Sequence, residues 1–413
     1  MKTNTVKGTN DYLPSQVLLR DYLQSVILKT YQDYGFERIM TPILEDIENL
    51  DKSEGGENLN LIFKVLKRGD KLEKALEEQN YNDLSDIGLR YDLTLPLSRY
   101  YANNKANLMM PMKCIQIDKV YRAERPQKGR LREFVQCDID IIGSESNTCE
   151  IELINTTSKA LLALGIKNFV VKINDRRLLK NVLLTAGFSE EQLDSVCITI
   201  DKLDKVGADG VRAELTEKGF PADSINKMID IFSNLPVSIE NVKNIATDTE
   251  AIESLEYIIN AVNEICDGSY SIDFDLSLVR GQGYYTGTIF EIQSPDFKGS
   301  IAGGGRYDNL IGKFLNESVP AVGFSIGFER IFSILSESGF VIPDKKPRIA
   351  VLFDAADFVA ANKKADELRS DYEVVLYEKP KKVGKFLNRL EEQSDCAGFY
   401  NFGQSEEVSF FTK

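Results

Sequence analysis

Histidine is missing from all 413 residues of this chain. Its absence excludes a histidine general base, a Ser/His catalytic triad and a metal site with imidazole ligands. Any catalysis must therefore depend on carboxylates, arginine or lysine, tyrosine, and a metal ion that arrives with a substrate.

Cysteine is scarce, and no two of the six cysteines form a Cys-x-x-Cys pair. This spacing supports neither a zinc knuckle nor a disulfide framework. No apolar run is long enough to span a bilayer, and the start of the chain lacks an apolar signal region. We therefore expect a cytoplasmic protein that makes no membrane contact and has no metal site of its own.

Basic residues are outnumbered, with 50 Lys and Arg against 64 Asp and Glu and a net charge of −14. A surface this acidic excludes loose affinity for nucleic acid, so any RNA contact must come from local basic patches. The length predicts two or more domains. The composition, 43% hydrophobic and 28% charged, is typical of a soluble globular protein.

One local basic patch lies between two alternating apolar and polar segments, Cys114–Val120 and Phe134–Gly143. The alternation predicts two strands joined by a loop from Arg122 to Arg132. Only Glu124 opposes the positive charges of this loop, which are Arg122, Arg125, Lys128, Arg130 and Arg132. Guanidinium groups bind oxyanions bidentately, so the loop suits a phosphate. A solvated basic hairpin without a ligand fits the residues equally well.

Two further arginines stand beside glycine or a strand end. Arg280 precedes Gly281-Gln-Gly283-Tyr284-Tyr285, which fits either a phosphate and planar-ligand site or a tight aromatic hairpin. Arg330 lies where a predicted strand from Val319 enters a helix, and helix amides with a guanidinium make an anion site. We expect the glycine-rich stretch Gly303–Gly305 to form a turn.

Other segments leave their alternatives open. An amphipathic helix after Pro14 and a predicted edge strand from Gly35 to Pro42 suit either a dimer seam or core packing. Asp92 and Thr94 are predicted to share one strand face, where they could bind a substrate ammonium. They could equally cap a helix that starts near Pro96, and the residues alone favour the cap.

Several of these segments together resemble the histidyl-tRNA synthetases, a family of class II aminoacyl-tRNA synthetases. The resemblance runs from Lys7 to about Lys413. The three motifs shared by class II enzymes correspond to Gly35–Pro42, Tyr121–Asp140 and Gly323–Arg330. The two stretches specific to the family and its paralogues correspond to Arg90–Pro96 and Arg280–Gly287.

The resemblance implies an α+β fold with two domains. Residues 1–335 would form the catalytic core, an antiparallel sheet flanked by helices, with a helical insertion at about 178–268. Residues 347–413 would form a shortened α/β domain like an anticodon-binding domain. Apart from the resemblance, the residues predict a basic helix in this segment, and a solvated helix surface fits nearly as well; its cations are Lys379, Lys381, Lys382, Lys385 and Arg389.

The resemblance also implies roles for individual residues. Arg122 and Arg280 would be catalytic, with ATP bound by Arg122, Glu124, Arg130 and Arg330. Histidine would be bound by Asp92, Leu93, Thr94, Gln136, Asp140, Arg280, Tyr284 and Tyr285. Within that set, Asp92, Thr94 and Gln136 would meet the ammonium group, and Asp140 and Tyr285 the imidazole. Mg²⁺ would accompany ATP, and the other partners would be tRNA(His) and a second copy of the chain.

A paralogue within the same resemblance is not a synthetase. It serves as the regulatory subunit of ATP phosphoribosyltransferase in histidine biosynthesis and does not charge tRNA. Such paralogues tend to lose the ATP-binding arginines and the C-terminal domain. This chain keeps Arg122, Arg280 and Arg330, so we favour the ligase.

Overall fold

A computed structural model describes residues 1–52, 58–127, 130–233, 238–280 and 284–412. Lys128, Gly281, Gln282, Gly283 and Lys413, which the sequence analysis singled out, lie outside these ranges. The chain divides into two compact units, Met1–Tyr12 with Arg20–Ser338 and Leu13–Leu19 with Gly339–Lys413. The division concerns compactness alone, so the functional domains 1–335 and 347–413 remain predictions.

Helices and strands alternate irregularly along the described chain. The helices are α1 Pro14–Asp33, α2 Ile47–Lys52, α3 Asp70–Glu77, α4 Thr94–Asn104, α5 Thr148–Ala163, α6 Arg176–Thr185, α7 Glu190–Ile200, α8 Leu203–Glu217, α9 Ala222–Ser233, α10 Ile239–Lys243, α11 Thr249–Cys266, α12 Phe328–Glu337, α13 Phe358–Leu368 and α14 Val383–Gln393. The strands are β1 Glu37–Arg38, β2 Leu44–Asp46, β3 Phe63–Leu66, β4 Ser85–Leu89, β5 Met112–Tyr121, β6 Glu133–Ile142, β7 Val170–Asp175, β8 Ser271–Phe274, β9 Thr288–Gln293, β10 Ser300–Arg306, β11 Ala321–Gly327, β12 Arg348–Phe353, β13 Glu373–Glu378, β14 Cys396–Asn401 and β15 Ser409–Phe410.

The first unit is built on a sheet with the order β1-β5-β6-β11-β10-β9-β7-β8. Its interior pairs are antiparallel, whereas β1 with β5 and β7 with β8 pair in parallel at the two edges. The helices α5 and α12 pack against the sheet. This mixed sheet flanked by helices confirms the predicted α+β class.

The long hairpin of β5 and β6 is the part of the sheet that the sequence predicts best. Period-2 alternation along β6 turns Ile139 and Ile141 into the core, where both side chains are fully buried. Gln136, Asp138 and Asp140 are offset from these isoleucines by an odd number of residues and point to the opposite face. Asp140 stands across from Cys114 on β5 and from Gly323 on β11.

The glycine-rich stretch Gly303–Gly305 is strand β10 rather than the predicted turn. A Cβ at Gly304 would lie 2.0 Å from the carbonyl oxygen of Gly323 on β11. The glycines therefore allow a close approach between strands. From the sequence alone, the same glycines were interpreted as a turn.

The segment around Asp92 corrects another prediction. Strand β4 ends at Leu89, and α4 begins at Thr94 rather than near Pro96. Asp92 and Thr94 therefore share no strand face. Asp92 Oδ1 accepts a hydrogen bond from the Leu95 amide at 3.2 Å, which is the capping contact that the residues favour.

Between β7 and β8 the described residues are helical, from α6 to α11, as predicted for the insertion. The second unit contains a sheet ordered β13-β12-β14-β15, with β13 and β14 parallel to β12. The prediction of a basic helix in this unit is only partly correct. Lys379, Lys381 and Lys382 precede α14, and Lys379 pairs with Asp354 at 2.8 Å. In the described parts of the chain, no helix is both long and apolar enough to cross a membrane.

Candidate active site

A cavity of about 290 Å³ opens on the polar face of β6. Its walls come from β6, β10, β11, the start of α4 and the segments that carry Arg122 and Arg280. With the exception of Leu93, every predicted site residue lines it: Asp92, Thr94, Arg122, Glu124, Arg130, Gln136, Asp140, Arg280, Tyr284, Tyr285 and Arg330. Three segments far apart in the chain thus supply arginines to one cavity.

Arg122 is held where β5 ends. Its Nε donates to the carbonyl oxygen of Tyr91 at 2.9 Å, and its guanidinium carbon lies 5.1 Å from the ring centroid of Phe134. The bond to a backbone carbonyl and the aromatic contact fix the plane of the guanidinium. A fixed, half-buried fork of donors suits an oxyanion in the cavity.

Arg330 lies in the first turn of α12, as the sequence predicts. Its Nη1 donates to the carbonyl oxygen of Ser300 and lies 3.2 Å from Ser300 Oγ. Burial lowers the pKa of Arg330 below its ordinary value, and the positive charge of Arg280 lowers it further. The cations repel one another across the cavity, and an anion placed between them would relieve that repulsion.

Arg280 crosses the glycine-rich strand β10. A Cβ at Gly303 would lie only 1.9 Å from Arg280 Nη1, so the guanidinium occupies the space that a side chain would fill. Arg280 Nη1 lies 3.5 Å from a carboxylate oxygen of Glu291, and its buried Nε has no hydrogen-bond partner among the described residues. Arg280 is thus packed in place and retains a donor for a ligand.

Carboxylates define the other part of the cavity. Burial raises the pKa of Asp140 from an ordinary 3.8 to about 7, against a hydrogen bond from Tyr307 that lowers it. A Cβ at Gly323 would lie 2.0 Å from Asp140 Oδ1, so the glycine on β11 leaves room for this carboxylate. Burial also raises the pKa of Asp92. A buried carboxylate pocket of this kind suits a cationic or N–H-donating ligand.

Tyr284 and Tyr285 lie side by side, with ring centroids 4.7 Å apart. Tyr284 also meets Tyr307 edge to face at 5.8 Å. Burial raises the pKa of Tyr284 well above 10, so its phenol stays protonated and can donate. The aromatic wall and Asp140 together provide a flat, polar-edged space for a small planar ring.

Leu93 is the predicted site residue that does not line the cavity. Its side chain is fully buried, and its carbonyl oxygen accepts a hydrogen bond from Gln116 Nε2 at 3.0 Å. Its predicted role in binding stays untested.

The basic loop is divided. Arg122 and Arg130 line the cavity, whereas Arg132 Nε donates to the Glu124 carbonyl oxygen at 3.0 Å and Arg125 is exposed. Arg130 also pairs loosely with Glu124, at 3.7 Å. The loop is therefore neither wholly ligand-facing nor wholly solvated.

The cavity-lining residues that sequence reasoning missed include Asp138, Tyr307 and Glu329. Asp138 was detectable, because it alternates with Gln136 and Asp140 on one strand face. Glu329 carries no such signal: its carboxylate accepts from Arg20 at 2.6 and 2.8 Å and from the Val135 amide at 3.2 Å. These contacts join α1, β6 and α12, and sequence spacing cannot show them.

The fold is that of a class II aminoacyl-tRNA synthetase core. The family model for histidyl-tRNA synthetase matches residues 8–331. The histidine–tRNA ligase of Leifsonia xyli subsp. xyli is 42% identical over 366 residues, which cover 85% of this chain and 83% of that protein.

Two solved structures share the fold. The histidyl-tRNA synthetase of Nostoc sp. PCC 7120 superposes with a TM-score of 0.78 at 28% identity, covering 95% of this chain and 90% of that one. An ATP phosphoribosyltransferase regulatory subunit/histidyl-tRNA synthetase from Bacillus halodurans C gives 0.77 at 20% identity, covering 97% of each chain. The second likeness concerns the fold alone. The chain belongs to the histidyl-tRNA synthetase family.

Proposed function

We propose that the protein is a histidine–tRNA ligase. It would activate histidine with ATP to histidyl-adenylate and pyrophosphate, and then transfer the histidyl group to the 3′ end of tRNA(His). The observation that carries this proposal is the meeting of Arg122, Arg280 and Arg330 in one cavity with Asp140 and the tyrosine pair.

The reaction begins when a carboxylate oxygen of histidine attacks the α-phosphorus of ATP, and pyrophosphate leaves as the new bond forms. Negative charge builds on the phosphoryl oxygens in the transition state. Arg122 and Arg280 would stabilise that charge, with Arg330 and Arg130 on the outer phosphates and Glu124 beside the nucleotide. Fixed guanidiniums in a partly dry cavity accomplish this without reorganisation, and no histidine side chain is required.

Recognition of histidine would follow from the acidic part of the cavity. Asp140 and Tyr285 would bind the two ring nitrogens, and Asp92, Thr94 and Gln136 the ammonium. Buried polar groups reject analogues that leave them unpaired, because each unmade hydrogen bond costs about 1–3 kcal/mol.

Magnesium would enter with ATP. Among the described residues, no group of three or more His, Cys, Asp or Glu side chains is arranged to hold a metal ion. Mg²⁺ usually binds through substrate phosphates and few protein ligands, which fits this surrounding.

We also propose a homodimer, formed along α1 and the edge strand β1. Met40, Ile43 and Leu44 beside that edge are exposed large apolar residues, with Met40 at 72%. Such residues favour an interface. A cytoplasmic location would suit the six cysteines, which are all buried free thiols.

The decisive experiment is histidine-dependent exchange of pyrophosphate into ATP, followed by charging of tRNA(His). Both activities are expected with histidine and neither with other amino acids. No exchange with histidine would overturn the ligase and leave a regulatory paralogue. Exchange without charging would place the deficit in tRNA binding by the second unit. Sedimentation of the purified protein tests the dimer separately.

A further inference from the structure

We propose that Asp138 is a specificity-determining residue. Asp138 and Asp92 would both bind the α-ammonium group of the amino-acid substrate. The inference rests on the proposed function and assigns a ligand contact to a residue that no sequence motif singled out. Asp138 lines the cavity directly.

The position of Asp138 follows from the pleat of β6. Gln136, Asp138 and Asp140 are spaced by two, so all three side chains face the cavity. Asp138 stands opposite Ser325 on β11, two register positions from Asp140 opposite Gly323. It therefore lies between the residue expected at the ammonium, Gln136, and the residue expected at the imidazole, Asp140.

Two buried acceptors in this row have no hydrogen-bond partner within the described ranges of the chain. They are Asp138 Oδ1 and Gln136 Oε1. Leaving a buried acceptor unpaired costs about 1–3 kcal/mol, and more if it is charged. A ligand that donates hydrogen bonds to both atoms would remove this cost.

An ammonium group fits the number and the sign of these acceptors. It carries three N–H donors and one positive charge in a compact volume. Asp138 Oδ1, Gln136 Oε1 and the Asp92 carboxylate offer three acceptors in one cavity. The imidazole has a separate set of partners in Asp140 and the tyrosines, so it does not need Asp138.

The charges around Asp138 point the same way. Burial raises the pKa of Asp138 well above 3.8. The negative charges of Asp140 and then Asp92 raise this pKa further, while Ser325 and Arg122 lower it.

Asp138 also influences other titratable groups, which are Cys137 on its own strand, Cys114 on β5 and Tyr31 on α1. Arg122 is a cation that acts on two of these carboxylates, Asp92 and Asp138. The carboxylate cluster should retain a proton in the free protein and release it when an ammonium arrives.

The test compares two ligands by titration calorimetry on the full chain. L-Histidine carries the ammonium, and 3-(imidazol-4-yl)propionate lacks it. Asp138→Asn should weaken histidine binding about ten- to a hundred-fold, as expected for a lost charge-assisted hydrogen bond. Binding of the propionate should change less than about twofold. Titration at pH 7 in buffers of different ionisation enthalpy should show proton release with wild type and less with the variant.

Asp118→Asn is the matched control. Asp118 pairs with the buried Arg90 at 2.8 Å and does not line the cavity. Its loss should affect stability and weaken both ligands alike, if it weakens either. Asp138→Asn should fold, because it removes a costly buried charge without changing volume.

The binding results distinguish a failure of the proposed function from a failure of the role assigned to Asp138. If wild type fails to bind histidine, the proposed function and this inference both fail. If wild type binds histidine but Asp138→Asn leaves that affinity unchanged, or weakens both ligands equally, the role of Asp138 is refuted and the ligase stands.

Discussion

The phenol of Tyr307 donates a hydrogen bond to Oδ1 of Asp140, and both groups lie against the backbone of Gly323. A Cβ at Gly323 would come within 2.0 Å of the carboxylate oxygen and 3.2 Å of the Tyr307 ring. Tyr307 is fully enclosed, with 2% of its surface exposed. The hydrogen bond therefore orients Asp140 towards the cavity and stabilises its ionised form.

Tyr307→Phe should shift the pH dependence of histidine binding. In the wild type, the hydrogen bond from Tyr307 lowers the pKa of Asp140, which is about 7. Removing that bond should therefore raise the pKa. More Asp140 is then protonated at pH 7, and a protonated carboxyl accepts less well from an imidazole N–H. We expect the KM for histidine to rise roughly tenfold at pH 7 and to approach the wild-type value in alkaline buffer.

Pyrophosphate exchange measured from pH 6 to 9 checks this. Tyr372→Phe is the control, because Tyr372 belongs to the second unit and is not among the residues that line the cavity; it should leave the pH profile unchanged. An equal rise in KM at every pH would show that Tyr307 acts only through packing.

Arg280→Ala should separate catalysis from binding. Loss of a cation aimed at transition-state charge costs about 100- to 1,000-fold in rate. Histidine-dependent pyrophosphate exchange should fall by that factor, while histidine affinity measured by calorimetry mostly survives. Arg348→Ala, which breaks an exposed pair with Asp395 in the second unit, should change neither. Equal losses of exchange and binding would reassign Arg280 to ligand binding.

Gly303→Ala should displace the guanidinium of Arg280 without removing it. The added methyl would lie 1.9 Å from Arg280 Nη1 and 2.4 Å from Cζ, so the end of a flexible side chain must move. The protein should still fold, and the exchange rate should drop roughly tenfold or more, because a misplaced catalytic group loses orientation.

Gly384→Ala on α14 is the control, since a Cβ there meets nothing within 4 Å. It should keep full exchange activity and gain up to about 1 kcal/mol in the free energy of unfolding. Unimpaired exchange in Gly303→Ala would mean that Arg280 does not need its present position.

Arg20→Ala should loosen α12. Arg20 binds both oxygens of Glu329 and lies 4.1 Å from the ring centroid of Tyr12. Its removal leaves a half-buried carboxylate with weaker partners, which should cost about 1–3 kcal/mol in unfolding free energy. The KM for ATP should rise several-fold, because α12 carries Arg330.

Chemical denaturation and exchange kinetics test the two effects. Lys29→Ala, which breaks an exposed pair with Asp33 on the same helix, should change neither quantity measurably. A stability loss without any change in the KM for ATP would confine Arg20 to a structural role.

Local patterns predicted much of the fold. Alternation along β5 and β6, the strand entering α12 and the helical stretch from α6 to α11 were all identified from periodicity. The comparisons confirm the predicted family. The error occurred where long-range contacts override local preference: Gly303–Gly305 form a strand, and a Cβ there would meet Arg280, β11 or β9.

The candidate site shows the same division. Its arginines were found because guanidiniums beside glycines or strand ends stand out in the sequence. Tyr307 and Glu329 were missed because their meaning depends on partners far away in the chain, Asp140 and Arg20. Individual roles of the site residues remain predictions.

The two-residue spacing of Gln136, Asp138 and Asp140 restricts how this gene can change length. A single inserted or deleted codon within β6 would exchange the two faces of the strand, sending carboxylates into the apolar layer and isoleucines into the cavity. Insertions between Tyr121 and Glu133 would leave the two faces of the strand unchanged, but they would displace Arg122, Glu124 and Arg130 from the cavity. Length variation among descendants of this sequence should therefore spare the strand.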